Sequence, residues 1–287
     1  MRRLVLLACL LVSSLAALAT SAAVLAARPR WEAYDRADQL VTRAQKLSTA
    51  GDILGARSAV AQALSLAPDN PRARREHAMQ LLAGGRAKEA LEDLRAVAKA
   101  LPDDPGAARE LGTLLGFLGD PAGSVEWLRR SVRLDPANGI THAILAVHLF
   151  ELGNVQDAKR EAELGAKLAP RVRVAHFYLG IVRWKSGDRE GGISAFNQAL
   201  VLRPADVPAL LCLAAVAGEL HHCDEAIGYL QRALQIAPNN PTAWTALGAA
   251  YLSEKQPAEA KAAFQRALQL NPGEPGAQVG LRELATP

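Results

Sequence analysis

Residues 241–274 read PTAWTALGAAYLSEKQPAEAKAAFQRALQLNPGE, two short amphipathic stretches joined by a tight turn. The chain repeats this unit. Counting back from Pro272 in steps of 34 meets Pro238, Pro204, Pro170, Pro136, Pro102 and Pro68, so seven of the sixteen prolines share one register. A proline there ends the second helix of each unit, because it lacks an N–H and disfavours the α conformation in the residue before it.

Other columns explain the period. The position of Gly248 is held in earlier units by Ala44, Ala78, Gly112, Ala146, Gly180 and Ala214. That of Ala260 is held by Ala56, Ala90, Ser124, Ala158, Gly192 and Ala226. All are small, and antiparallel helices approach to about 8 Å only where the facing side chains are little more than a methyl group. Large residues surround that contact: Leu111, Leu145, Leu179, Leu213 and Leu247 in one column, Leu94, Leu128, Phe196, Leu230 and Phe264 in another. Gly51, Gly85, Gly119, Gly153 and Gly187 mark the inner turn, where glycine reaches the left-handed backbone without a steric penalty.

Trp244, Leu247, Gly248 and Tyr251, followed by Ala260, Phe264, Ala267 and Pro272, resemble the tetratricopeptide repeat, a pattern that is specific when it recurs in register. The resemblance implies an all-α fold, an α-solenoid of helix-turn-helix repeats wound as a right-handed superhelix. About fourteen helices of about 12–14 residues and a terminal one are expected. The expected units are 37–70, 71–104, 105–138, 139–172, 173–206, 207–240 and 241–274, with a capping helix and tail at 275–287. Arg43 and His77 occupy the leucine column, so the first unit reads as a polar-faced cap.

A solenoid has no single core, so 287 residues make one array rather than two globular domains. Of the formal charge of +4, residues 1–36 supply +3, leaving the repeats almost neutral. Without a block of like charge to track a phosphate backbone, nucleic acid is not the expected partner. Cys9, Cys212 and Cys223 are odd in number and imply no disulfide framework.

Residues 1–27 open with Arg2 and Arg3 and then run uncharged for 24 residues, LVLLACLLVSSLAALATSAAVLAA. As a helix this stretch would reach about 36 Å, enough for a hydrocarbon core of about 30 Å. A membrane anchor over residues 4–27 is the first reading. Ala17-Leu18-Ala19 keeps a cleaved signal peptide as the second. Residues 28–36 follow as a juxtamembrane linker, and Trp31 and Tyr34 suit a membrane interface or the start of the first helix. With the arginines held on the cytoplasmic side, the repeats are expected on the periplasmic side of an inner membrane, anchored there or released after cleavage.

No phosphate-binding loop, metalloprotease motif or nucleophile elbow occurs, so neither enzymatic activity nor a cofactor is expected. His221, His222, Cys223 and Asp224 are metal-ligand types, but four consecutive residues do not wrap one ion tetrahedrally without strain, and a solvated turn is the simpler reading. His142 and His176 fall in the column of Trp244, where stacked units place them about 10 Å apart, too far for one zinc; they read as packing residues.

The resemblance further implies that the first helix of each unit lines a concave groove, through the positions of Thr242, Thr245, Ala249, Leu252 and Ser253. Those columns place Arg72, Arg75, Arg109, Met79 and Phe117 in the second and third units. They place Ile140, Val147, Phe150, Phe177, Ile181 and Trp184 in the fourth and fifth. An apolar patch of this size marks a binding surface. The asparagines by which some arrays clamp a C-terminal carboxylate are missing, since the Ala249 column reads Gln45, Met79, Thr113, Val147, Ile181, Ala215 and Ala249. The expectation is a non-catalytic scaffold holding a protein or peptide segment with apolar anchors, within a bacterial envelope-assembly or secretion system. Homo-oligomerisation through the same patch is the alternative.

Overall fold

The computed structural model describes residues 30–285, which form fifteen α-helices and no strand. They divide after Asp120 into two compact units. The first holds α1 (30–49), α2 (Ile53–Leu66), α3 (Pro71–Ala83), α4 (Ala87–Ala100) and α5 (Pro105–Phe117). The second holds α6 (Pro121–Leu134), α7 (Gly139–Glu151), α8 (Val155–Leu168), α9 (Arg173–Lys185), α10 (Arg189–Leu202) and α11 (Val207–Glu219). It continues with α12 (Cys223–Ile236), α13 (Pro241–Ser253), α14 (Pro257–Leu270) and α15 (Pro275–Ala285). Odd-numbered helices are the first of each pair. The apolar segment 4–27 lies outside the described residues, among which no helix is long and apolar enough to cross a membrane. Residues 30–36, assigned by sequence to a linker, extend α1 instead, and Tyr34 packs on its small apolar cluster.

Each helix starts and stops for a local reason. Asn70, Asn138 and Asn240 accept hydrogen bonds from the N–H groups of Ala73, Thr141 and Ala243, and Asp104 accepts one from that of Gly106. These caps satisfy donors that a helix start leaves orphaned. Inside each pair the first helix closes with a six-to-one backbone bond. Arg86 N–H donates to Leu81 O at 2.9 Å around Gly85, whose φ is +74°. The last two inner turns have no glycine, so His221 (φ 61°) and Lys255 (φ 56°) take the left-handed conformation, which side chains rarely adopt.

The small columns are where the helices meet. A Cβ on Gly180 would stand 2.6 Å from the Phe196 ring, and one on Gly248 would stand 2.6 Å from Phe264. A Cβ on Gly192 would fall 3.0 Å from the backbone nitrogen of Trp184. Leu145, Leu179, Leu213 and Leu247 are buried around these contacts. Truncating one such leucine to alanine would cost about 2–5 kcal/mol.

A second seam uses the Trp244 column against the residue nineteen positions later. It is an ion pair in Arg74–Asp93 (2.9 Å) and a histidine–carboxylate contact in His142–Glu161 (2.5 Å). Apolar pairs replace these further on, with Leu210 and Tyr229 in one cluster and Trp244 and Ala263 in the next. His77, in the leucine column, turns its Nδ1 to the same Asp93 at 2.6 Å, which accommodates an imidazole where other units bury leucine.

At the ends, Arg43 is exposed in the leucine column of α1. In α15, Arg282 takes the small Gly248 column, where no second helix follows among the described residues.

Candidate protein-binding face

In the first unit, two of the three arginines of the groove columns are committed to the fold. Arg72 lies 3.2 Å from Asp38. Arg75 donates to Asp104 at 2.5 Å, and its Nε stands 2.8 Å from Glu110 Oε2, an ion-pair contact without hydrogen-bond alignment. Burial raises the Asp104 carboxyl, but the Arg75 bond and the Gly106 N–H outweigh it and hold the group below its usual range. For Glu110 burial wins over the attraction of Arg75 and Arg109, and the carboxyl is raised. Arg109 makes no ion pair among the described residues. Phe117, at the end of α5, is 78% exposed, and Met79 is exposed on α3.

In the second unit, α7 and α9 present Val147, Phe150, Phe177, Ile181 and Trp184, all half-buried. Val147 and Phe150 pack against the cluster built by α6 to α10. Phe177, Ile181 and Trp184 pack against the cluster of α10 to α12. The Phe177 ring stands 6.0 Å from Phe196 and 5.5 Å from Tyr178, and the Arg189 guanidinium lies 5.5 Å over Trp184. These side chains therefore lock neighbouring helices together on one edge while offering the other to solvent. The structure thus groups the expected residues as Arg72, Arg75, Arg109 and Phe117 in one unit and the five apolar residues in the other.

Sequence reading by bulk missed a cleft of about 450 Å³ between α11 and α13, floored by Leu211 and Leu230 and walled by alanines and glycine. Its signal was small residues, Ala215, Gly218 and Ala249, in columns filled by Val147, Phe150 and Ile181 two units earlier. The nearby Cys212 thiol, on α11, is pushed up to about 11 by burial.

The histidines have structural partners. His142 Nε2 stands 3.0 Å from Pro136 O and His176 Nε2 stands 2.9 Å from Pro170 O. In the same column Trp244 Nε1–H donates to Pro238 O and Gln278 to Pro272 O. The column thus uses a side-chain nitrogen to occupy the carbonyl of the registered proline six residues back, which also places α15 in repeat register. Among the described residues no three of His, Cys, Asp and Glu converge as a metal site; His222 faces Glu225 at 3.8 Å.

Paired antiparallel helices with small-residue crossings and prolines in a 34-residue register define an all-α solenoid. Two tetratricopeptide-repeat family models match the chain, one over 41–105, 75–139 and 144–207 and the other over 219–275. The chain belongs to the tetratricopeptide repeat family. No curated protein matches it significantly in sequence. Among solved structures it is similar to a tetratricopeptide repeat protein from Parabacteroides merdae, with TM-score 0.69, 13% identity, and coverage of 88% of this chain and 100% of that one. It is also similar to a chain of the APC/C hetero-tetramer Cut9-Hcn1, with TM-score 0.69, 18% identity and coverage of 87% of this chain but 46% of that one. A third is PilW, described as a type IV pilus biogenesis factor, with TM-score 0.62, 16% identity and coverage of 74% and 98%. At these identities the likenesses speak to the fold.

Proposed function

We propose that this protein is a non-catalytic scaffold that holds a segment of a partner protein on its first-helix face. The observation that carries the reading is the apolar band of Val147, Phe150, Phe177, Ile181 and Trp184, whose inner edges are fixed by packing while their outer edges stay in contact with solvent. Pre-fixed aromatic side chains lose little freedom on binding, so they suit the role of interface anchors. Within the first unit Phe117 is exposed, whereas Arg72 and Arg75 are held by Asp38, Asp104 and Glu110. The fold family supports protein binding as the general activity.

The proposed setting is an envelope-assembly or secretion machine at a bacterial inner membrane, with residues 4–27 as anchor or signal and the repeats on the periplasmic side; this rests on the apolar segment and its arginines alone. A photo-crosslinking amino acid placed at Phe150, Trp184 or, as a control, the exposed second-helix residue Val201 tests the face in living cells. One partner trapped from 150 and 184 and not from 201 is expected. Crosslinks from 201 alone would move binding to the opposite face. A ladder of this chain's own multiples, matched by light scattering, would replace the partner with a second copy.

A further inference from the structure

We infer that the cleft between α11 and α13 is a socket for one bulky apolar side chain of the partner segment, and that the segment carries a lysine or arginine beside that anchor. The inference rests on the first-helix face being the binding face.

The cleft lies between two neighbouring first helices. Within the second unit, α7 and α9 pack side by side, whereas α11 and α13 barely touch. The columns that line it are small. The Trp184 column keeps a large residue in α13, Leu252, but where α7 and α9 carry Val147, Phe150 and Ile181, helix α11 carries Ala215 and Gly218 and α13 carries Ala249. With Ala214, Ala246 and Ala250 these leave a cavity of about 450 Å³ over Leu211 and Leu230. Small side chains cannot fill such a space themselves, so its walls forgo dispersion contacts that an inserted side chain would restore. Aromatic side chains, which bury about 150–250 Å², match a depression of this kind.

The mouth of the cleft is negative. Helices α11 and α13 end there and α12 begins there at Cys223, so the helix dipoles oppose one another and the side chains set the sign of the rim. Glu219 follows Gly218 of the cleft wall and Glu254 follows Ser253, and neither is paired with a basic side chain. The segments 219–225 and 253–255 together hold four carboxylates against Lys255. A cation next to the anchor complements this rim, and an acidic neighbour would be repelled. His221 lines the wall and holds a left-handed backbone where the five earlier inner turns have glycine. Non-glycine residues retained in that conformation concentrate at binding sites.

The test measures fluorescence anisotropy of labelled short peptides in a Gly/Ser frame, carrying Trp, Leu or Ala as the anchor and Lys or Glu beside it, against the whole protein. The Trp–Lys peptide is expected to bind at least about tenfold more tightly than its Ala-anchored or Glu-flanked counterparts. Ala249→Trp fills the cleft from an exposed helix position and should erase the anchor preference with unchanged circular dichroism. Glu219→Gln with Glu254→Gln should erase the lysine preference and its salt dependence while the anchor preference survives. If Trp–Lys binding is the same in wild type and Ala249→Trp, the socket is wrong. Should that binding instead be lost in Trp184→Ala, the binding face stands and only the cleft falls. If no peptide of any kind binds, the peptide-holding face falls with it.

Discussion

Gly180→Ala and Gly228→Ala are the same substitution in the interiors of two helices of one unit, and the structure gives them opposite signs. Alanine favours a helix over glycine by about 1 kcal/mol. At Gly228 in α12 nothing lies within 4 Å of the added Cβ, so the gain should appear in full. At Gly180 in α9 the Cβ would stand 2.6, 2.7 and 3.0 Å from three atoms of the Phe196 ring. Phe196 is 2% exposed and held by Phe177 and the surrounding cluster, so the ring has little room to yield. Overpacking of this kind costs about 1–3 kcal/mol, which set against the propensity gain leaves Gly180→Ala less stable by up to about 2 kcal/mol.

The neighbouring repeat supplies the rescue. Residues sixteen apart pair as Gly180 with Phe196 and Gly248 with Phe264, but as Ala214 with Leu230. Gly180→Ala combined with Phe196→Leu recreates the sixth repeat's pair inside the fifth. Phe196→Leu alone should cost about 1.5 kcal/mol through lost volume. The double variant, relieved of the clash and keeping the propensity gain, should be about 1 kcal/mol more stable than that single variant, giving a coupling of about 1–3 kcal/mol. Urea unfolding followed by far-UV circular dichroism measures all four stabilities, with hydrogen exchange in α9 and α10 reporting any local opening that a repeat array allows. Additivity within about 0.5 kcal/mol, or a stabilised Gly180→Ala, would refute the steric account.

The caps give a graded series. Asn70 is 1% exposed and bonds both Ala73 N–H and Asp38, so Asn70→Ala should lose about 2 kcal/mol, against about 1 kcal/mol for Asn240→Ala, by the same unfolding measurement. The two carboxylates on Arg75 should differ in pH dependence. Asp104, held below its usual range, contributes stability at neutral pH that is lost as pH falls through its folded value, so Asp104→Asn, which keeps the cap, should be less stable than wild type at neutral pH and converge with it in acid. Glu110, raised by burial, contributes stability in acid that is lost as pH rises through its folded value. Glu110→Gln should therefore gain on wild type from acid to neutral pH, and thermal melts at a series of pH values check both signs.

The framework was legible because each of its requirements is met by a residue type at a fixed spacing: proline stops, small crossings, leucine fillers and turn glycines. The face was legible only in part. That Phe150, Phe177 and Trp184 sit on first helices follows from the register. That each is half-buried depends on which neighbour it meets, such as Phe196 beside Phe177. The arginines were read as groove residues because their partners are remote in sequence: Arg75 reaches Asp104 across 29 positions and Arg72 lies against Asp38, one repeat away. The cleft escaped because it is defined by missing bulk. His221 and Lys255 mark the limit of reading turns by glycine, since the six-to-one bond forms around them all the same, from His222 N–H to Ala217 O and from Gln256 N–H to Tyr251 O.

A chain of near-identical units must also keep each second helix with its own first helix, and the seam pairs provide a means. Arg74 with Asp93 and His142 with Glu161 match charge, whereas Leu210 with Tyr229 and Trp244 with Ala263 match apolar bulk. Exchanging partners would press Arg74 against Ala263 or Trp244 against Asp93. Either leaves a charged group without its counter-charge in a seam where Asp93 and His142 are buried, a state far costlier than the native pair is favourable. With register held at the seams, the first-helix face is free of that duty. Its Ala249 column changes from Gln45 and Met79 through Val147 and Ile181 to Ala215 and Ala249, with no change in helix length from α3 to α13. Variation that the fold does not require is what a surface shaped to one particular partner would display.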